Sequence, residues 1–416
     1  MKVLEFKLSG DQNQFNRIDD AIRTTKFIRN SCLKTWIDAS ALPKEERPKF
    51  GRFDFNNKTA ALAKQFKFAD KLNSMARQAA AERAWSSVGR FYDNCKVKKK
   101  VKGYPKFQKV CRSVEYKTCG WKISHDGRHI KFTDGHEIGK MKLVGTHGLP
   151  QNIRKEIKRV RIVKRASGYY VQLCVEIPNT EFVPLTGKQL GIDLGLNHFY
   201  TDSNGATVEN PRFYRKMEKE LKKAQRAVSK KVKGSGNRKK AVVKLAKVHE
   251  KVSNQRKDWS TKLARSVMMS NDIVVVEDLR VANMVKNHCL AKSIHDASWT
   301  AFVGRLELFA SKFGKSVVRV NPAFTSQACS NCGTIVPKSL KERVHKCDCG
   351  CRLDRDHNAA LNIMSSGLRK IRSDRPESTL GEIMTTTEPN ESSVKQVESK
   401  NQEPKEASKI SRKRRL

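Results

Sequence analysis

The chain opens with strand-like alternation, Val3-Leu4-Glu5-Phe6-Lys7-Leu8, and turns at Ser9-Gly10-Asp11. From Phe15 the apolar period becomes helical: Phe15, Ile18, Ile22, Cys32 and Trp36 share one face, and Pro43 and Pro48 mark a connector. Residues 59–94 are Ala-rich, with Phe66, Ala69, Leu72, Met75, Ala79 and Val88 near one helical face. The first part of the chain thus reads as one strand followed by helices. Residues 113–177 alternate again, in Val114-Glu115-Tyr116, His129-Ile130-Lys131-Phe132, Lys140-Met141-Lys142-Leu143, Val160-Arg161-Ile162-Val163 and Tyr169-Tyr170-Val171-Gln172-Leu173-Cys174-Val175. Short strands at that spacing, with Lys and Arg at many alternate positions, predict a small barrel.

Pro184-Leu185-Thr186-Gly187 marks a boundary. Beyond it Leu190-Gly191-Ile192-Asp193-Leu194-Gly195 has a buried-strand pattern with one acid inside, and Asp202-Ser203-Asn204-Gly205 makes a hairpin turn. Residues 214–269 predict one or two long helices, broken at Gly234-Ser235-Gly236, with Leu245, Val248 and Val252 as an apolar stripe. Ile273-Val274-Val275-Val276 is the continuous run of a strand buried on both faces, and it ends in Glu277. Trp299, Phe302, Leu306 and Phe309 follow at helical spacing as core. Val317-Val318-Arg319-Val320 is another strand, stopped by Pro322. After residue 373 the composition is that of a disordered tail, ending in the basic Arg412-Lys413-Arg414-Arg415. No internal repeat is present.

Charge changes the picture most. The 416 residues carry 85 Lys+Arg against 42 Asp+Glu, a formal net charge of +43. That balance is too one-sided for an ordinary metabolic enzyme and implies a polyanion partner, most simply nucleic acid. Lys96, Lys98, Lys99, Lys100 and Lys102 form one cationic run. Between positions 222 and 257 stand fourteen basic residues and a single acid, Glu250. Like charges one helical turn apart repel, and a polyanion along the helix relieves that repulsion. Lys222, Lys223, Lys230, Lys231, Lys239 and Lys240 are therefore the candidate nucleic-acid contacts. With 38% hydrophobic residues the chain can bury a core, but a modest one for its length. No run is long and apolar enough for a membrane span, and Met1-Lys2-Val3-Leu4-Glu5-Phe6 lacks the pattern of a signal peptide.

The 11 cysteines are odd in number, so reduced thiols in an intracellular compartment fit better than a disulfide framework. Cys329-x-x-Cys332-Gly and Cys347-x-Cys349-Gly have the spacing of a tetrahedral Zn²⁺ site, with Cys351 as a spare thiol and a substitute ligand. Three acids stand at structured places: Asp193 within an apolar strand, Glu277 at the end of another, and Asp356 before a short helical stretch. A carboxylate in a buried strand is costly unless paired or metal-bound. Three converging carboxylates suit two Mg²⁺ ions, which activate water and stabilise the leaving oxygen in phosphodiester cleavage.

Gly191-Ile192-Asp193-Leu194-Gly195, Val276-Glu277-Asp278-Leu279, Leu290-Ala291-Lys292-Ser293-Ile294, Thr325-Ser326-Gln327-Ala328-Cys329-Ser330-Asn331-Cys332-Gly333 and Asp354-Arg355-Asp356-His357-Asn358-Ala359-Ala360 resemble, in order and spacing, the motifs of the TnpB (OrfB) family. That family is encoded by insertion sequences and related to type V CRISPR nucleases. The resemblance is strong over 186–367 and weaker before it, in Arg29-Asn30 with Trp36, Gly103-Tyr104-Pro105-Lys106-Phe107 and Ser167-Gly168-Tyr169-Tyr170. It implies a multidomain α/β and β chain. An RNase H-like RuvC nuclease would occupy 186–321 and 353–372, interrupted by a zinc ribbon at 322–352. A wedge-type β-barrel would occupy 1–10 and 100–185, with a helical recognition lobe at 11–99 and a disordered tail at 373–416.

The resemblance further implies that Asp193, Glu277 and Asp356 are the catalytic acids. The activity would be Mg²⁺-dependent cleavage of double-stranded DNA beside a short flanking motif, directed by a guide RNA from the transposon end. Neither a membrane nor a small-molecule substrate is expected, and the expected location is the prokaryotic cytoplasm, on the nucleoid when bound to DNA. Two other readings compete: a guide-independent transposase and a non-enzymatic nucleic-acid-binding regulator. His198 and His357 read as local hydrogen-bonding residues, with His357 a modulator of Asp356.

Overall fold

A computed structural model describes residues 2–99, 101–145, 148–176, 181–339 and 342–373. The disorder and the basic cluster expected after residue 373 lie outside the described residues. Strand β1 (Lys2–Ser9) is followed directly by helices α1 (Gln12–Ser40), α2 (Arg52–Gln65), α3 (Lys67–Asp70) and α4 (Ser74–Lys96). Asp11 starts α1 with a capping box, accepting from the Gln14 amide at 2.7 Å. The Ala-rich stretch falls within three helices. Phe66 is extended, and Asn73 caps α4 by accepting from the Met75 amide at 2.9 Å, so side-chain capping overrides helical propensity there. Buried Ala76, Ala80 and Ala84 let α4 pack closely on its neighbours.

The chain then returns to β1's sheet through β2 (Ser113–Tyr116), β3 (Trp121–Ile123), β4 (His129–Phe132), β5 (Gly139–Val144), α5 (Gln151–Lys155), β6 (Ile157–Arg165) and β7 (Gly168–Val175). The order is β2-β6-β7-β1-β5-β4-β3, antiparallel throughout, with β1 at the centre. Leu4 faces Leu173 and Leu8 faces Leu143, so alternation written at residues 3–8 meets its partners only after the helical insertion. The ladder is not a closed barrel: edges β2 and β3 share no strand pairing among the described residues. Side chains bridge the gap instead. The Tyr116 ring packs on Phe132 at 5.3 Å and its hydroxyl donates to Asp134 at 2.7 Å.

The weaker motifs of the first half meet in space. Asn30 exchanges hydrogen bonds with Gln108 at 2.9 and 3.1 Å, while Trp36 packs on Tyr104 at 5.5 Å and donates to Tyr92 at 3.0 Å. Glu115 lies buried among Arg83, Arg159 and Arg161; burial pushes its carboxyl up, but the three guanidiniums outweigh that and hold it at about 2.

A second sheet comprises β8 (Gln189–Leu194), β9 (His198–Asp202), β10 (Thr207–Glu209), β11 (Ile273–Glu277) and β12 (Ser316–Val320), in the order β10-β9-β8-β11-β12. β8, β11 and β12 are parallel; β9 runs antiparallel to both β8 and β10. Helices α6 (Phe213–Ser229), α7 (Gly236–Ser270), α8 (Val281–Met284), α9 (His288–Ala297) and α10 (Trp299–Phe313) lie between these strands in the chain. On one face Ile192, Val274 and Val276 pack with Ala264, Met268, Trp299, Phe302 and Leu306 of α7 and α10. On the other, Val275 and Val320 meet Ile363 of α11 (Arg355–Ser373). β11 is thus buried from both sides, which is why its sequence is a continuous apolar run. Strands β13 (Val344–Lys346) and β14 (Arg352–Asp354) form a small hairpin immediately before α11. Among the described residues no helix is long and apolar enough to cross a membrane.

Candidate nuclease centre and zinc ribbon

Asp193 lies on β8 and Glu277 ends β11. Ile192 pairs in parallel with Val276, so the two acids occupy the next, adjacent positions, with the same orientation, on strands about 4.8 Å apart. Two glycine-dependent contacts explain how Asp356 joins them. A Cβ on Gly191 would stand 2.2 Å from the Ala360 carbonyl, and one on Gly367 would stand 2.4 Å from Val275. Helix α11 therefore lies directly across β8 and β11, on the face of Gly191 and Val275. Asp193 and Glu277, each two residues further on, share that face. The helix begins over the carboxyl ends of the strands, where Asp356 sits in its first turn.

The electrostatics mark the site. Burial, then the charges of Glu277 and Asp356, raises the Asp193 carboxyl to about 8. Glu277 is buried and also raised, although the Thr325 hydroxyl donates to it at 2.6 Å. Asp356 accepts from Arg355 at 3.0 and 3.1 Å and lies 3.9 Å from Arg343. The three carboxylates do not crowd within 4.8 Å of one another; among the described residues such groupings occur only around the cysteines. Two adjacent acids whose ionisation is suppressed, with a third held by Arg355, are a donor set whose own arginine contacts do not offset the charge of Asp193 and Glu277. Divalent cations fit it.

This raised acid has a measurable consequence. The native state holds a proton that the unfolded chain releases near pH ~4. Between there and pH 8 the folded form binds more protons, so stability of the metal-free protein falls as pH rises. In EDTA, Asp193→Asn should therefore melt higher than the parent at pH 8 and much like it at pH 4. Equal melting at both pH values would refute the assignment.

Cys329, Cys332, Cys347 and Cys349 bring their sulfurs within 4.8 Å of one another. Cys329 and Cys349 are 3.6 Å apart, and Cys332 and Cys347 are 3.5 Å apart. Tetrahedral Zn–S bonds of about 2.3 Å require sulfurs about 3.8 Å apart, so the cluster fits Zn²⁺. Gly333 and Gly350 take φ of +80° and +85° behind the sulfurs, closing two tight turns. Cys351 belongs to a second grouping, with Cys329 and His345.

The six candidate lysines are all exposed. Lys222, Lys223 and Lys230 line a groove with Lys219 and Arg226 along α6; Lys231 follows α6, and Lys239 and Lys240 lie on α7. Lys222 also pairs with Glu218 at 2.9 Å. Glu250, the lone acid of the basic stretch, accepts from Ser167 at 2.8 and 2.9 Å, joining α7 to the β6–β7 turn. That junction forms a further groove with Lys7, Tyr170, Lys247 and Lys251, which sequence reasoning missed because its lysines come from distant segments. His198 pairs with Glu209 at 3.1 Å, whereas His357 lies 3.3 Å from the Ser203 carbonyl. Thr325, Asn358 and Asn362 were also overlooked as site residues, although the first two fall within quoted motifs.

Comparison with known proteins agrees with these motifs. Residues 172–288 match the OrfB_IS605 family, described as "Probable transposase", and 299–363 match the Cas12f1-like TNB domain. A Streptomyces pristinaespiralis protein named "Putative RNA-guided DNA endonuclease" is 40% identical over 233 residues, 54% of this chain and 58% of that one. Escherichia coli InsQ, similarly named, is 29% identical over 51% of this chain and 57% of its own. The matched stretch thus spans little more than half of each. "TnpB-like protein L79" of Acanthamoeba polyphaga mimivirus is 35% identical over 30% of this chain and 25% of its own. Among solved structures, a Cas12f1–sgRNA–target DNA complex superposes with TM-score 0.53 at 14% identity, covering 85% of this chain and 82% of that one. The mini-RNA-guided endonuclease Cas-phi3 gives 0.53 at 11% identity over 88% and 92%. Both show a shared mixed α/β fold. The chain thus carries an OrfB_IS605 segment followed by a Cas12f1-like TNB domain, and over these residues it is similar to proteins named putative RNA-guided DNA endonuclease and TnpB-like.

Proposed function

We propose that this protein is an RNA-guided, Mg²⁺-dependent DNA endonuclease of a transposable element, cutting double-stranded target DNA beside a short flanking motif. The observation that carries this reading is the convergence of Asp193, Glu277 and Asp356 where α11 crosses the carboxyl ends of β8 and β11. The strand order, 3-2-1-4-5 in chain order with the second strand antiparallel, is that of RNase H-like RuvC nucleases and supports it. Two Mg²⁺ ions held by these acids would supply an activated water and stabilise the leaving oxygen. The chain's own task is to hold three partly buried carboxylates together and to present the scissile phosphate to them.

In this reading 186–321 and 353–372 are the nuclease, and 322–352 is the ribbon, holding Zn²⁺ at Cys329, Cys332, Cys347 and Cys349. Residues 1–10 and 100–185 are the wedge, 11–99 is the recognition lobe, and 373–416 is a tail. The exposed lysines of α6 and α7 follow the phosphates of a guide RNA and its DNA heteroduplex, a backbone-based recognition that does not read sequence. Its place is the prokaryotic cytoplasm, on the nucleoid when bound to DNA.

The test is to express the gene with its flanking DNA and sequence the RNA that copurifies. One discrete RNA, extending beyond the element's end and programming cleavage of a matched DNA, is expected. Heterogeneous, salt-labile RNA would overturn the proposal. Strand-transfer products from RNase-treated protein would then mark a guide-independent transposase, and specific binding without cleavage a regulator.

A further inference from the structure

The ribbon is fastened to the acid site by side chains whose roles the nuclease reading leaves unassigned. Thr325, nine-tenths buried at the ribbon's entrance, donates its hydroxyl to Glu277 Oε1 at 2.6 Å; the Pro322 carbonyl lies 3.2 Å from Thr325 Oγ1. A hydroxyl has one proton, and a carboxylate is the stronger acceptor, so the shorter contact takes it. Thr325 is itself held: its carbonyl accepts from Asn362 Nδ2 at 2.9 Å. Asn362 also reaches the Ala328 carbonyl at 2.7 Å, which Asn358 meets at 2.8 Å. Asn358 Oδ1 accepts from the Ser330 amide at 2.9 Å, beside Cys329.

Asn358 and Asn362 lie one turn apart on the helix that Asp356 begins. Two of the three acids are thus referenced to a single segment, residues 325–330: Glu277 through the Thr325 hydroxyl, and Asp356 through the helix pinned at Ala328 and Ser330. We infer that Thr325 is a positioning residue for the metal-binding carboxylate of Glu277, and that the first cysteine turn of the ribbon sets the spacing of the acid site. This inference rests on the nuclease reading. A hydrogen bond that orients a metal-binding carboxylate typically changes metal affinity or activity by about 10–100-fold.

The test measures Mn²⁺ binding to the full-length protein by titration calorimetry, in the parent, Thr325→Val, Thr325→Ser and Asp193→Ala, with zinc content and melting temperature recorded for each. Valine keeps the shape and removes the donor; serine restores the donor. Thr325→Val should bind Mn²⁺ about 10–100-fold more weakly while retaining zinc. Thr325→Ser should recover most of the affinity. With guided DNA substrate, the half-saturating Mg²⁺ concentration for cleavage should rise in the valine variant alone. Unchanged Mn²⁺ affinity in Thr325→Val, or equal loss in the valine and serine variants, would overturn the positioning role. Mn²⁺ binding that Asp193→Ala leaves intact would instead overturn the acid-site reading beneath it.

Discussion

Under the proposed function, Asp193→Ala should cut DNA at least ~10³-fold more slowly than the parent while binding RNA and target DNA undiminished. Asp193 occupies the position from which both other acids are felt: burial and the charges of Glu277 and Asp356 hold its carboxyl up at about 8. Removing it relieves repulsion and therefore does not destabilise the fold, but it takes away the carboxylate between β9 and β11 that would complete the metal site. The exposed lysines of α6 and α7 lie on other elements, so a filter-binding or mobility-shift titration should superpose for parent and variant. A variant that still cuts at parental rate would remove the assigned centre. A variant that loses RNA binding as well would show that Asp193 is structural.

Loss of zinc should be the second large effect. The ribbon's regular structure consists of the three-residue strands β13 and β14 and an isolated bridge between Ala328 and Ile335. Among its described residues the buried ones, Thr325, Cys329 and His345, include no large aliphatic side chain. So small a core cannot offset the entropy of ordering the segment, and metal binding becomes its folding energy. Cys329→Ser is the informative change, because Cys329 is shared by both sulfur groupings. The variant should purify without zinc, exchange the amides of 322–352 rapidly, and cleave ~10²-fold or more below the parent, through Glu277 and Asp356. Cys349→Ser, with Cys351 nearby, should suffer less. Zinc-free Cys329→Ser that cleaves normally would show the ribbon to be an independent appendage.

Much of the organisation was legible because it is written in short periods. Alternation placed β1, β2, β4, β5, β6 and β7, the apolar run placed β11, and Gly234-Ser235-Gly236 separated α6 from α7. The three-residue β3 and the single-turn helices α5 and α8 carry too few positions for a period to register. The break between α2 and α4 depended on one side-chain cap, at Asn73.

The sequence alone determined the chemistry. It carries an excess of cationic side chains, four cysteines at metal-binding spacing, and two acids embedded where an apolar pattern makes them costly, with a third before a helix. Tertiary structure decided how these come together. The first strand became the centre of its sheet because its partners lie more than a hundred residues later. The lone acid of the basic helix became a tie to Ser167. Asp356 reached Asp193 and Glu277 because Gly191 and Gly367 allow a helix to lie on the strands. Each is a contact between distant segments. Local periodicity reports which face a residue occupies, whereas the neighbour it meets there depends on how the elements pack.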